Sequence, residues 1–307
     1  MKKNTNYLVS IIVNCYNSQK YLKETIKSII SQTYLNYEVI FYDNQSSDNT
    51  VKIIKSFNNS KFKIHSSKSK LVLGEARNKA IKKANGDYIA FLDSDDYWAP
   101  NKLELQIKKF QSFPNLGLVY SDAIYFNSKK EMQLYKYRKA YAGNCTKPIL
   151  LDYFLCMSSC LVKMDIIKKH KIFFDNQLMV CEDPDFFLQI SYYSDFDYCR
   201  QPLTYYRLHE SSLTANNREL FFDEINIIIS KIKQISNFDT NIINTLINNN
   251  NVNRAKYYWS LGKSIKAIKQ IIYHLKIKNL YYILVFLIPY KICNYIFNKI
   301  HKNRVSY

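Results

Sequence analysis

The chain has 307 residues, 47% of them apolar, enough for one large α/β domain with an appendage or for two small domains, and this excludes a globally disordered chain. The formal net charge of +19 is unevenly placed: residues 241–307 hold 11 Lys or Arg and no Asp or Glu, an asymmetry that points to a polyanionic partner, either a membrane leaflet or nucleic acid. The 7 Cys form no CxxC pair and no Cys/His cluster, which excludes a disulfide framework and a zinc site and reads as reduced, intracellular thiols.

From the N-terminus, the apolar run Leu8–Val13 is too short and interrupted for a signal peptide and reads as a buried strand. It ends in the polar turn Asn14–Asn17, where Asn17 or Ser18 can cap a following helix with Leu22, Ile26 and Ile29/Ile30 on its apolar face. Tyr37–Tyr42 reads as a second strand ending at Asp43, followed by a helix over 49–57 and a short strand over 61–65. A helix over 75–84 stops at Asn85-Gly86, and Asp87–Leu92 gives a further strand. Strand, polar turn, helix in succession is the mark of a parallel sheet with crossover helices, whose ligands lie beyond the carboxyl ends of the strands. Cys15–Asn17, Asp43 and Asp93–Asp95 would meet on that rim.

The stretch DSDD (93–96) is the strongest local signal. Three carboxylates in four residues repel one another unless a cation sits among them. On an extended chain Asp93 and Asp95 would point the same way and converge on one hard cation, Mg²⁺ or Mn²⁺, carrying a diphosphate; a solvated acidic turn before the next helix is the plainer alternative. Residues 118–163 alternate strand-like runs (GLVYSDAIYF, LYKYRKAY, SSCLVKM) with a helix around 149–154. Glu182, Asp183 and Asp185 surround Pro184 at the start of a helix whose buried side is Phe186, Phe187 and Ile190, a favourable place for negative charge. Tyr198–Leu208 returns to a strand pattern. Trp98 either stacks on a sugar or packs in the core.

Four segments in series, VSIIVNCYNSQKYLKETIKSIISQTYLNYEVIFYDNQSSDNT (9–50), GEARNKAIKKANGDYIAFLDSDDYW (74–98), CEDPDFFLQI (181–190) and YYRLHESSLT (205–214), resemble family 2 inverting glycosyltransferases with the GT-A fold. The resemblance implies an α/β, Rossmann-like, mainly parallel sheet flanked by helices over 1–215, with a nucleotide-sugar half (1–98) and an acceptor half (99–215); residues 216–307 read as a basic helical region from their own pattern. It implies that Cys15, Tyr16 and Asn17 line base and ribose, that Asp43 bonds the base, and that Arg77 approaches the nucleotide. Asp93 would contact ribose or metal, and Asp95 would hold the Mn²⁺ or Mg²⁺ on the diphosphate. Asp183 would be the general base, with Asp185 its rival. Arg207 and His209 would close over the diphosphate, His209 as a further metal ligand or else an edge histidine. The sequence departs from the family where Asn44-Gln45 replaces a frequent Asp-Gly and Ala80 a frequent Gly.

Such chemistry needs two acids in opposite settings: one neutralised by metal beside the leaving diphosphate, the other free to take the acceptor's proton. The expected substrates are a nucleotide sugar, best a UDP-sugar, and a glycan or lipid-linked acceptor in cell-surface polysaccharide synthesis. Beyond 218 every segment reads helical. Leu261, Ile265, Ile268, Ile272 and Leu275 recur among lysines as a basic amphipathic face, and Leu280–Tyr290 is apolar but too short to span a bilayer. This tail either docks on the inner face of the cell membrane or packs on the catalytic domain or a second subunit. Two other readings are a sugar nucleotidyltransferase, which would want a Gly-rich basic phosphate loop that Asn14–Asn17 lacks, and a polyanion-binding protein. Nucleic acid is disfavoured because the acids at 93–96 and 182–185 would repel its backbone.

Overall fold

The computed structural model describes residues 6–209, 217–236, 238–273 and 280–293, and the chain divides into two compact units, Met1–Asn216 and Asn217–Tyr307. In the first unit Val9–Cys15 (β1), Tyr37–Asp43 (β2), Phe62–Ser66 (β3) and Tyr88–Phe91 (β4) run parallel in the order β3-β2-β1-β4. Helices Leu22–Ile30 (α1), Thr50–Ser56 (α2) and Leu73–Ile81 (α3) make the crossovers. β1, β2 and β4 are buried almost throughout, so each reads as a continuous apolar run rather than an alternating one. Gly86 lies where the chain enters β4 against β1: a Cβ there would sit 2.6 Å from the backbone nitrogen of Ser10, so only glycine fits.

The rest of this unit extends the same nine-stranded sheet. Tyr97–Trp98 (β5), Leu116–Phe126 (β6), Glu131–Gln133 (β7), Leu161–Lys163 (β8) and Asp195–Arg207 (β9) complete the order β3-β2-β1-β4-β8-β6-β9-β5, with β7 on β6. β8 is antiparallel to both β4 and β6, whereas β6 and β9 are parallel, so most strands run one way. The remaining helices of this unit are Lys102–Ser112 (α4), Leu134–Tyr137 (α5), Thr146–Leu151 (α6), Met164–Lys169 (α7) and Glu182–Ser191 (α8), with a 3-10 turn at Met157–Ser159.

Several local expectations need correction. LYKYRKAY is not a strand: its first four residues form the single helical turn α5, and Arg138 then anchors to Asp152 on a neighbouring loop at 3.0 Å. Neither Asn17 nor Ser18 caps α1 through its side chain; the helix begins after Tyr21, and the Ser18 carbonyl accepts from the amides of Tyr21 and Leu22. For Trp98 the core reading holds: it is buried and donates from Nε1 to the Ser158 carbonyl at 2.7 Å.

In the second unit, Arg218–Lys233 (α9), Thr240–Ser260 (α10), Ser264–Tyr273 (α11) and Leu280–Leu287 (α12) are helical as expected. The predicted apolar face is divided: Ile268 packs against the core of this unit. Ala267 and Ile271 pack with Trp259 and Phe286, while Leu261, Ile265 and Ile272 point outward. Leu275, Lys276, Lys299, Lys302, Arg304 and the end of segment 205–214 lie outside the described residues. Among the described residues no helix is long and apolar enough to cross a membrane.

Candidate active site

The parallel strands end in a row. Cys15 and Asp43 are register partners on β1 and β2, and the Leu92 amide, just past β4, bonds to Ile12 on the other side of β1. Cys15 is buried, and burial with the charges of Asp43, Asp48 and Asp95 pushes its thiol far up, so it lines the site as a neutral group. Asn17 has a φ of 49° and knits the first two loops together: its Oδ1 accepts from the Ser47 amide at 2.9 Å, and its own amide donates to Ser46 Oγ at 2.9 Å. Asp43 is buried and accepts from the Ser46 amide at 3.2 Å. Gln45 takes the left-handed position, φ 62°, where the family's glycine would be at ease. Asn44 ties in the loop before α3: its amide nitrogen donates to the Leu71 carbonyl at 2.8 Å, and its oxygen accepts from the Leu71 amide at 2.9 Å. Lys70 of that loop lies 4.0 Å over the ring of Tyr16, whose side chain remains 45% exposed at the rim.

Asp93–Asp96 form a turn, with the Asp96 amide bonded to the Asp93 carbonyl at 3.1 Å, rather than the extended stretch that would aim Asp93 and Asp95 alike. The two carboxylates diverge. Asp93 accepts from Arg77 at 3.0 Å, and Asp95 Oδ2 meets His209 Nε2 at 2.7 Å. Burial and the neighbouring Asp93 raise the Asp95 carboxyl, against the pull of His209. The third acid, Asp96, is wholly internal. It accepts from Ser158 Oγ at 2.6 Å and from the Arg207 amide at 2.9 Å, joining the turn to the 3-10 segment and to the end of β9. Arg207 bonds the Asp95 carbonyl through Nε at 2.9 Å, pairs with Glu24 and lies 4.3 Å from the Tyr21 ring centroid. Arg207 and His209 therefore come back across the sheet to cover Asp95, more than a hundred residues away in the chain.

Arg77 is not a solvated helix charge. It is buried on α3, with one nitrogen on Asp93 and another on Glu182 at 2.7 Å. Asp183, next along α8, also lies in its field. Three carboxylates around one guanidinium leave excess negative charge. Burial pushes Glu182 up to about 8 and Asp183 up to about 6, in both cases against Arg77. Glu182 Oε2 has no hydrogen-bond partner among the described residues, whereas Asp183 Oδ2 accepts from the Tyr153 hydroxyl at 2.6 Å. Asp185 is buried and bonds to Gln189 at 2.9 Å, one helical turn on.

One sheet edge thus carries a polar rim (Cys15, Tyr16, Asn17, Asp43), a carboxylate–imidazole pair (Asp95, His209) and a half-buried acid (Asp183), with Arg77 linking the turn after β4 to α8. The sequence profile of Glycosyl transferase family 2 matches residues 10–170. Two Escherichia coli enzymes named UDP-Glc:alpha-D-GlcNAc-diphosphoundecaprenol beta-1,3-glucosyltransferase are similar: WfgD is 30% identical over 69% of this chain and 81% of its own length, and WfaP 31% over 73% and 86%. The chain belongs to glycosyl transferase family 2.

It is a glycosyltransferase, and its fold is GT-A. Staphylococcus aureus TarS 1-349, solved with UDP, superposes with a TM-score of 0.66 at 20% identity, covering 89% of this chain and 76% of that one. The Pyrobaculum calidifontis mannosyltransferase PcManGT, solved with GDP-Man and Mn²⁺, gives 0.65 at 14% identity, covering 92% and 80%. In this glycosyltransferase, sequence reasoning missed Tyr153, Ser158 and Glu24. Each is an ordinary residue in a loop, 3-10 turn or helix, and only the folded chain brings it to the site. Asp96 was visible as the third acid of its cluster, without a sign that it faces inward.

Proposed function

We propose that this family 2 enzyme moves a sugar, with inversion, from a UDP-sugar to a hydroxyl of a lipid-linked glycan acceptor, at the cytoplasmic face of a membrane and in the synthesis of a surface polysaccharide. The reading is carried by one observation: the two acids such chemistry requires stand apart on one sheet edge, Asp95 against His209 and Asp183 against Tyr153. The two Escherichia coli relatives are named for a UDP-Glc donor and a GlcNAc-diphosphoundecaprenol acceptor, and TarS was solved with UDP-GlcNAc, which supports the donor and acceptor classes.

Cys15, Tyr16, Asn17 and Asp43 would receive the base and ribose. Asp93, held by Arg77, and Arg207 would border the sugar and diphosphate. A carboxylate oxygen and an imidazole nitrogen 2.7 Å apart suit Mn²⁺ or Mg²⁺, and a carboxyl raised by burial gains from a cation. Among the described residues no group of three His, Cys, Asp or Glu is placed to hold a metal alone, so Asp95 and His209 would leave positions for water and phosphate oxygens. When bound, such an ion supplies Lewis-acid charge to the departing diphosphate. Asp183 takes the proton of the acceptor hydroxyl as that oxygen bonds to the anomeric carbon and the bond to the diphosphate breaks. With its carboxyl near 6, Asp183 is ionised at neutral pH and still basic enough to accept.

The test is a transfer assay with a panel of UDP- and GDP-sugars and a GlcNAc-diphospholipid acceptor, with and without Mn²⁺. One UDP-sugar should give a lipid-linked disaccharide of inverted anomeric configuration. Turnover with GDP-sugars alone, or a retained anomeric configuration, would overturn the reading.

A further inference from the structure

The base is not held by its own helix alone. Tyr153 lies between α6 and the 3-10 turn, and its hydroxyl reaches Asp183 Oδ2 at 2.6 Å. The backbone that carries it is pinned from outside. Arg138 donates to the Tyr153 carbonyl at 2.7 Å and to Asp152 Oδ1 at 3.0 Å, and the Tyr141 hydroxyl donates to Asp152 Oδ2 at 3.1 Å. Burial and the charge of Asp183 raise the Tyr153 phenol well above its usual range, so it stays a proton donor.

We propose that Tyr153 is the positioning residue of the proton acceptor: it fixes the Asp183 carboxylate through Oδ2 and so presents Oδ1 to the acceptor hydroxyl. The proposal rests on Asp183 being the base. The charged and titratable groups facing Asp183 are Arg77 from α3, Asp93 from the turn after β4, the adjacent Glu182, Tyr153, and the thiol of Cys160 beyond the 3-10 turn. Asp93 and Glu182 disfavour its charge. Arg77 and Tyr153 favour it, and Arg77 is already shared between two other carboxylates. Removing the Tyr153 hydroxyl therefore moves the proton affinity of Asp183 upward.

Tyr153→Phe keeps the ring and removes the donor. The expected result is a fall in kcat of about ten- to a hundredfold. The acid limb of the kcat–pH profile should move to higher pH, while the KM for the donor and the thermal shift given by UDP stay as in the parent. A parental acid limb, whether or not kcat falls, overturns the proposal, because lost packing alone does not move it. Asp183→Asn run alongside separates the two levels. Near-complete loss of turnover in Asp183→Asn, with an unmoved limb in Tyr153→Phe, removes the positioning role and keeps the base. Parental turnover in Asp183→Asn removes the base itself. If Tyr153→Phe is too unstable to assay, Arg138→Gln, which frees the Tyr153 carbonyl, should shift the limb in the same direction, and an unshifted limb there counts equally against the proposal.

Discussion

Lys102 has no exposed surface, yet no carboxylate pairs with it among the described residues. Its ammonium group bonds to Gln106 Oε1 at 2.7 Å and lies 4.1 Å over the Trp98 ring. Burial lowers it to about 7. An unfolded lysine titrates near ~10.4, so between these values the unfolded chain holds the extra proton. Stability therefore rises with pH across that window and is lowest where the native amine must charge. Lys102→Met keeps the stem and removes the charge. We expect it to raise the free energy of unfolding at pH 7 by about 1–3 kcal/mol and to flatten the rise between pH 7 and 9. Chemical denaturation of both proteins at the two pH values checks this, and an equal pH slope in the variant would mean that the amine is solvated. Nothing in the sequence marked this lysine, because a helical lysine reads as surface until the fold shows what surrounds it. Arg77 is the same lesson at the site. Its position on a helix was legible, but its partner Glu182 lies 105 residues away, and local pattern holds no record of such a pairing.

At the level of elements, strand ends and helix starts were readable because they follow from apolar runs stopped by polar turns. β1, β2 and β4 were found this way, and so was α8 with its acids in the first turn. LYKYRKAY deceived because Tyr and Lys alternate there as they would on a half-buried strand; tertiary anchoring of Arg138 decides the backbone instead. The loop between β3 and α3 had no pattern at all, yet Asn44 holds it with three hydrogen bonds, two to Leu71 and one from Ser67 at 3.2 Å. An aspartate here would lose the donor to the Leu71 carbonyl and bury a charge, so asparagine suits this loop where the family's acid would not. Asn44→Ala should lower stability by roughly 1–3 kcal/mol. It should also weaken UDP binding, because the loop that places Lys70 over Tyr16 is released. Calorimetric titration with UDP measures the effect. Unchanged affinity in a destabilised variant would separate the loop from the donor.

For the molecule as a whole, the open question is what the second unit is for. Its inner side is satisfied: Trp259, Ala267, Ile271 and Phe286 pack together, and Trp259 Nε1 bonds to the Ile288 carbonyl at 2.8 Å. The outer side is not, for Ile265 is 74%, Leu284 70% and Leu287 65% exposed, with Lys263, Lys266, Lys269 and Lys291 also in solvent. Aliphatic side chains flanked by lysines, in a stretch without acids, match a bilayer interface that is apolar below and anionic above. Leu284→Glu/Leu287→Glu replaces two exposed leucines without touching the packed side. Each leucine is worth about 1.5–3 kcal/mol on full burial, so the pair should reduce co-flotation with phosphatidylglycerol vesicles by at least tenfold, at unchanged melting temperature and unchanged UDP binding. Neutral phosphatidylcholine vesicles should bind the parent weakly, and added salt should release it. Equal flotation of variant and parent would sink the proposed membrane contact. A change in the native mass on size exclusion, in place of a change in flotation, would give the face to a second copy of the chain.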